Sequence, residues 1–107
     1  MMLTSRELVR AWVLSTLAGL ATDDDYHARL RDTLLVFLQS GGSYKATAQR
    51  LTLHKNTVQY RIRKAQESLG RPVGGNRQDV ELALLASHWL GSYVLRPAAA
   101  GGAPRTR

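Results

Sequence analysis

Residues 43–71 gather seven cations, Lys45, Arg50, Lys55, Arg61, Arg63, Lys64 and Arg71, against one acid, Glu67. Interleaved with them stand Asn56, Thr57, Gln59 and Tyr60, whose amide and hydroxyl groups both donate and accept hydrogen bonds. Ammonium and guanidinium groups suit phosphate, while amides and guanidinium forks match the edges of bases. These residue types support the capture and reading of a polyanion, not bond cleavage. The segment nets +6 in 29 residues, nearly the whole formal charge of +7, and so local a patch points first to nucleic acid.

Groups suited to catalysis are sparse. His54 has no carboxylate, nucleophile or second His at useful spacing, so turn packing or helix capping explains it better than general-base chemistry. His27 follows Asp23, Asp24 and Asp25, but three carboxylates at a helix start are expected for capping alone, without a metal. His88 beside Trp89 reads as a core or interface histidine. The chain has no Cys, which excludes disulfides, thiolate chemistry and Cys-containing zinc sites and fits a reducing cytoplasm. Residues 70–76 lack the Gly-Lys-Ser/Thr ending of a phosphate-cradling loop. No enzymatic activity, no cofactor and no metal are expected.

The elements that must position the basic patch read as helices. Leu (17) and Ala (13) far outnumber Val plus Ile (8), and unbranched side chains keep more rotamer freedom in a helix. Thr4 with Glu7 three residues on is a capping-box pattern, predicting a first helix over residues 5 to about 20. Its Leu8, Val9, Trp12, Val13, Leu17 and Leu20 spread over a half-circle, with Leu14 beyond it, which is wider than one core face needs. Thr22 with Asp25 predicts the next N-terminus, followed by a stripe of Tyr26, Leu30, Thr33 and Phe37 with Leu34 beside it; Gly41-Gly42 stops that helix. Ser43 caps a short third helix to about residue 51, with Tyr44, Ala48 and Leu51 facing in.

After a tight turn over residues 52–55, a fourth helix spans about 56–69 and ends at Gly70 and Pro72. Gly74-Gly75-Asn76 leads to a last helix over about 78–94 that is apolar nearly all round and so needs burial on more than one side. The expected fold is all-α, a five-helix bundle. Residues 1–21 form an N-terminal helix for linking, dimerisation or docking, residues 22–94 the main domain, and residues 95–107 a disordered tail.

Two short helices joined by a tight turn inside a basic patch are the pattern of a helix-turn-helix. With Ile62 at zero, Val58, Ala65 and Leu69 fall between about −60° and −20°, so the fourth helix opens on the side near 150°. Asn56, Tyr60, Lys64 and Arg63 lie around that direction, with Thr57 and Gln59 on its shoulders. In the major groove of double-stranded DNA, Asn56, Gln59, Tyr60 and Arg63 are the expected base readers. Lys45, Lys55, Thr57 and Lys64 are the expected phosphate contacts, and Ser43 with the N–H groups opening the third helix supplies another. Arg61 lies on the flank and reads as structural, pairing across to another helix. Thr52 stands where many such motifs place Gly, and a left-handed Thr carries strain of order 1 kcal/mol, so a turn of another shape is expected.

The run Ala48-Gln49-Arg50-Leu51-Thr52-Leu53-His54-Lys55-Asn56-Thr57-Val58-Gln59-Tyr60-Arg61-Ile62-Arg63-Lys64 resembles the C-terminal helix-turn-helix domain of PucR/CdaR-type bacterial transcriptional regulators, a Fis-like module. Leu30, Thr33, Leu34, Phe37, Leu38 and Gly41-Gly42-Ser43 before it, and Leu69-Gly70 with the apolar last helix after it, are also similar to that family, over about residues 20–92. The resemblance implies sequence-specific DNA binding by a regulator that carries an N-terminal sensory part, which is missing from this sequence.

At 107 residues the chain is one module. No apolar run approaches the 18 or so residues that span a bilayer, so no membrane partner is expected. The apolar residues 11–21 behind Arg6 and Arg10 have the order of a short signal peptide, but Glu7, Ser15 and Thr16 break that pattern. The wide apolar faces of the first and last helices suggest a homodimer. The rival reading is a protein-interaction module binding an acidic partner; RNA is disfavoured because the basic helix offers a single aromatic, Tyr60, for stacking.

Overall fold

A computed structural model describes residues 2–98. Five helices, α1 (Ser5–Leu17), α2 (Asp25–Gln39), α3 (Tyr44–Leu51), α4 (Lys55–Leu69) and α5 (Arg77–Leu90), pack around one core, with 3-10 turns at Ala18–Ala21 and Gly91–Tyr93. Val13, Leu17 and Leu20 of the N-terminal segment are fully buried with Leu34, Val58, Val80 and Val94. The first helix is therefore part of the bundle and not a linker to it. Full burial of each such side chain contributes about 1.5–3 kcal/mol.

The capping box at α1 forms as its spacing requires: Glu7 N–H donates to Thr4 Oγ1 at 3.1 Å, and Thr4 N–H donates to Glu7 Oε1 at 2.8 Å. That backbone donor holds the Glu7 carboxyl below its ordinary value. α1 ends at Leu17, earlier than its apolar pattern suggests, because Ala18 takes a positive φ of 51° and the next residues tighten into a 3-10 turn.

The cap of α2 lies two residues after the expected one, and the helix begins at Asp25. Thr22 and Asp23 are extended and pair in parallel with Arg96 and Pro97 as two-residue strands. Thr22 Oγ1 donates to Gly19 O at 2.8 Å, and capping passes to Asp24, whose Oδ1 accepts the His27 N–H at 2.7 Å. Partial burial pushes the Asp24 carboxyl up, but the bonds from the His27 backbone and ring outweigh it and hold the group below its ordinary value.

The same pairing corrects the expected tail. Residues 95–97 close the fold: Leu95 is buried, and Arg96 Nη1 donates to Ala18 O at 3.0 Å. An apolar Val94-Leu95 pair next to an unpaired backbone edge at Thr22 and Asp23 gives the chain something to bury and something to bond. Residues 99–107 of the expected tail lie outside the described residues. α5 is shorter than expected because Gly91, at φ 52°, ends it at Leu90.

Two left-handed glycines stop α2. Gly41 N–H bonds Leu38 O at 3.1 Å and Gly42 N–H bonds Phe37 O at 2.9 Å, a Schellman closure that requires the positive φ of 70° at Gly41. The turn between α3 and α4 closes in the same way. Leu53 N–H bonds Ala48 O at 2.9 Å and Thr52 N–H bonds Gln49 O at 3.4 Å, so Thr52 does adopt the left-handed conformation, with φ 55° and ψ 50°. This corrects the expected turn shape. The closure and the packing of Leu53 against the core hold the β-branched residue where its own preference would not. Thr52→Gly is expected to release that strain and raise stability by about 1 kcal/mol, a gain of about 4–8 °C in Tm. A melting point at or below that of the parent would contradict the strain.

Candidate nucleic-acid interface

The helix-turn-helix is built from α3, the Thr52 turn and α4. Ser43 Oγ accepts the Ala46 N–H at 3.0 Å to start α3, and Thr47 Oγ1 donates to Ser43 O at 2.7 Å, which lets Thr47 bury completely beside Ala48. α4 turns Val58, Ile62, Ala65 and Leu69 inward, all buried, the seam that helical periodicity places there.

Its other side is open. Asn56, Gln59, Tyr60 and Arg63 are exposed, Tyr60 by 48%. Lys45 on α3 and Lys55 at the start of α4 are exposed as well, while Ser43, Thr57 and Lys64 are half-buried. Three of these residues come together: Tyr60 is the centre of a small cluster, with Arg63 Cζ 5.3 Å and Lys64 Nζ 5.7 Å from its ring centroid. Lys64 also pairs with Glu67 at 3.3 Å. That pair is an i, i+3 contact, visible in the spacing but not anticipated. Ser43 spends its oxygen on the Ala46 N–H and retains its hydroxyl proton for another acceptor. Asn56 and Gln59 make no side-chain hydrogen bond among the described residues, and their amides face solvent.

The cations divide by place. Outside the motif, Arg6, Arg31, Arg77 and Arg96 donate to the backbone carbonyls of Tyr93, Leu20, Leu38 and Ala18. Arg71, counted with the basic patch, belongs with them, because its Nη2 donates to Thr16 O at 3.0 Å. Within the motif, Lys45, Arg50, Lys55, Arg61 and Arg63 have no ion pair or hydrogen-bonded partner for their side chains among the described residues. Arg61 thus does not make the expected pair with another helix, and Arg50 joins the free cations without any signal in its spacing that would have singled it out. The committed guanidiniums tie the bundle together, and the uncommitted charge is concentrated on α3 and α4.

The histidines do not assemble a reactive site. His54 precedes α4 but is exposed and makes no side-chain cap, so neither expected role is filled. His88 is exposed, edge-on to Trp89 at 5.1 Å, and is not a core residue. His27 bonds Asp24 at 2.8 Å. Among the described residues there is no cluster of three or more His, Asp or Glu fit to hold a metal, and no helix is long and apolar enough to cross a membrane.

Residues 30–86, which include every residue named at the interface, match the family model described as the PucR C-terminal helix-turn-helix domain. The chain is 37% identical over 70 residues to the purine catabolism regulatory protein of Bacillus subtilis (strain 168), a match covering 65% of this chain and 13% of that protein. It is 33% identical over 86 residues to the transcriptional activator PmfR of Paenarthrobacter nicotinovorans, covering 80% of this chain and 17% of that protein. An uncharacterized protein of the pkwA 5' region in Thermomonospora curvata is 39% identical over 61 residues, 57% of this chain and 34% of that protein. The chain thus spans less than a fifth of the length of the first two relatives. No solved structure gives a significant match.

Proposed function

Since the chain belongs to the family of PucR C-terminal helix-turn-helix domains, we propose that it is the DNA-binding module of a bacterial transcriptional regulator and sets α4 into the major groove. The carrying observation is the open side of α4, where amides, a phenol and a guanidinium stand free of structural duties above a buried apolar seam. A B-DNA major groove about 12 Å wide admits one such helix. Asn56, Gln59 and Arg63 read base edges, and the ring of Tyr60 stands among them. Lys45, Lys55, Thr57, Lys64 and the Ser43 hydroxyl grip phosphates on either side and set the register of α4 in the groove. The Lys64 to Glu67 pair opens when Lys64 meets phosphate, a modest cost because exposed pairs contribute about 0–1 kcal/mol. No substrate is transformed; the output is occupancy of a DNA site, within a regulator whose sensory part lies N-terminal to this module.

The test is a titration of the protein against labelled duplex DNA, single-stranded DNA, RNA and polyglutamate. With about five phosphates neutralised, log K for duplex falls against log[salt] with a slope near −4.5. Tighter binding to polyglutamate than to duplex would favour a module for an acidic protein partner and contradict the DNA reading.

A homodimer belongs to the same proposal. α5 leaves Leu82, Trp89 and Leu90 exposed, Trp89 by 77%, and α1 leaves Leu8 and Trp12 exposed. Across a two-fold axis the same apolar patch on each copy would meet its counterpart and cover these side chains. Such a dimer pairs two recognition helices about 34 Å apart, one DNA turn. Sedimentation at tens of micromolar is expected to give dimer. Monomer alone would assign the apolar face to another domain of the regulator instead.

A further inference from the structure

We propose that Tyr60 serves the interface through its ring and not its hydroxyl: it is a positioning residue that holds the Arg63 guanidinium ready to engage guanine. The inference rests on the DNA-binding reading of α4 and names what that helix recognises.

Arg63 stands three residues after Tyr60, so the two share one side of α4 a single turn apart. The Arg63 Cζ lies 5.3 Å from the Tyr60 ring centroid, inside the range of about 6 Å where a cation is attracted to the face of an aromatic ring. Among the described residues no carboxylate holds Arg63: the acid on the same face, Glu67, is taken by Lys64 at 3.3 Å. With no hydrogen bond or ion pair to Arg63 among the described residues, the ring, which Lys64 Nζ also approaches at 5.7 Å, is the contact that restricts this guanidinium. The Tyr60 hydroxyl makes no hydrogen bond among the described residues, so nothing within the fold requires it.

An exposed Arg samples many rotamers, and ordering it on a ligand carries an entropic cost. A ring that has already narrowed those rotamers lowers the cost when the fork meets two acceptors in fixed geometry. Guanine O6 and N7 are that pair of acceptors in the major groove, and no other base presents two acceptors side by side there. The cluster therefore predicts guanine opposite Arg63, with recognition that depends on the aromatic ring.

The experiment measures binding of the parent, Tyr60→Phe, Tyr60→Ala, Arg63→Ala and the Tyr60→Ala/Arg63→Ala double variant. The probes are a duplex selected from random sequences and an unselected duplex. Tyr60→Phe is expected to bind the selected duplex within about two-fold of the parent, while Tyr60→Ala weakens it about five-fold. Tyr60→Ala also lowers the ratio of selected to unselected binding, and it has no further effect on that ratio in the Arg63→Ala background. Tyr60→Phe losing as much as Tyr60→Ala would overturn the proposal in favour of the hydroxyl, as would an undiminished ratio in Tyr60→Ala.

A second readout needs no DNA. In the free protein the Arg63 δ-methylene protons are expected to be shifted upfield by the ring in the parent and in Tyr60→Phe, and not in Tyr60→Ala. Absence of that shift in the parent overturns the stacking whatever the DNA results. Failure of the parent to bind any duplex, with the shift present, overturns the DNA-binding reading instead.

Discussion

Arg63→Ala is expected to weaken binding to a selected duplex by about 1–3 kcal/mol, a loss of roughly 5- to 150-fold, while leaving binding to unselected duplex nearly unchanged. The difference arises because a guanidinium fork meeting two acceptors on one base contributes only when that base is present. Lys64→Ala should behave differently, weakening both duplexes alike, since an ammonium meeting phosphate carries no sequence information. Arg63 is exposed and, beyond the Tyr60 ring, makes no hydrogen bond or ion pair among the described residues, so its removal should leave the melting temperature near that of the parent, and the loss can be read as binding. Fluorescence anisotropy on the two duplexes measures both effects. Equal losses for Arg63→Ala on both would remove Arg63 from the base readers and place it among the phosphate contacts.

Arg31→Met is expected to destabilise the fold by about 3 kcal/mol. Arg31 is buried, and its Nη1 donates to Leu20 O at 2.8 Å and to Thr22 O at 2.6 Å. It thereby ties the turn after α1 to the short strand that leads into α2. A Met side chain fills similar space but removes the donor from buried Leu20 O and leaves Thr22 O with the Asp24 N–H alone, and an unsatisfied buried acceptor costs about 1–3 kcal/mol. Burial lowers the Arg31 guanidinium from its ordinary value, against the opposing pull of Asp23, Asp32 and Asp24, yet guanidinium stays protonated in proteins. Arg31→Lys restores a charge but not the geometry, and should recover only part of the loss. Urea unfolding with an unchanged m-value measures it. A loss below about 0.5 kcal/mol would mean that water or another group satisfies these carbonyls as well as Arg31 does.

The open side of α4 was legible because helical periodicity alone decides which side of that helix is buried. Val58, Ile62, Ala65 and Leu69 needed no knowledge of the rest of the fold, and their burial leaves Asn56, Tyr60 and Arg63 outside. Caps with a local signature were equally legible: Thr4 with Glu7, the Gly41-Gly42 stop, Ser43 and Gly70. Two of the failures depended on distant parts of the chain. Thr22 looked like a cap, but its pairing with Arg96, more than seventy residues away, kept it extended and moved the cap to Asp24. Arg71 looked like part of the basic patch, but its partner is a carbonyl 55 residues earlier. Local propensity argued against a left-handed Thr52, yet the bonds from Leu53 and Thr52 back into α3 demand one. The helix-end closure, with Leu53 packed on the core, overrode the residue's preference there, as it can wherever the strain is of order 1 kcal/mol and several contacts oppose it. The pairing of Lys64 with Glu67 was within reach of helical spacing, since residues three apart meet on a helix surface.

The most direct measurement of where DNA docks is the set of backbone amide shift changes when a selected duplex is titrated into isotope-labelled protein. The largest changes are expected along the open side of α4, at Lys55, Asn56, Gln59, Tyr60 and Arg63, with smaller ones at Ser43 and Lys45, and they should diminish as salt is raised. Changes confined to α1 and α5, with α4 unmoved at saturation, would contradict the proposal that α4 enters the groove.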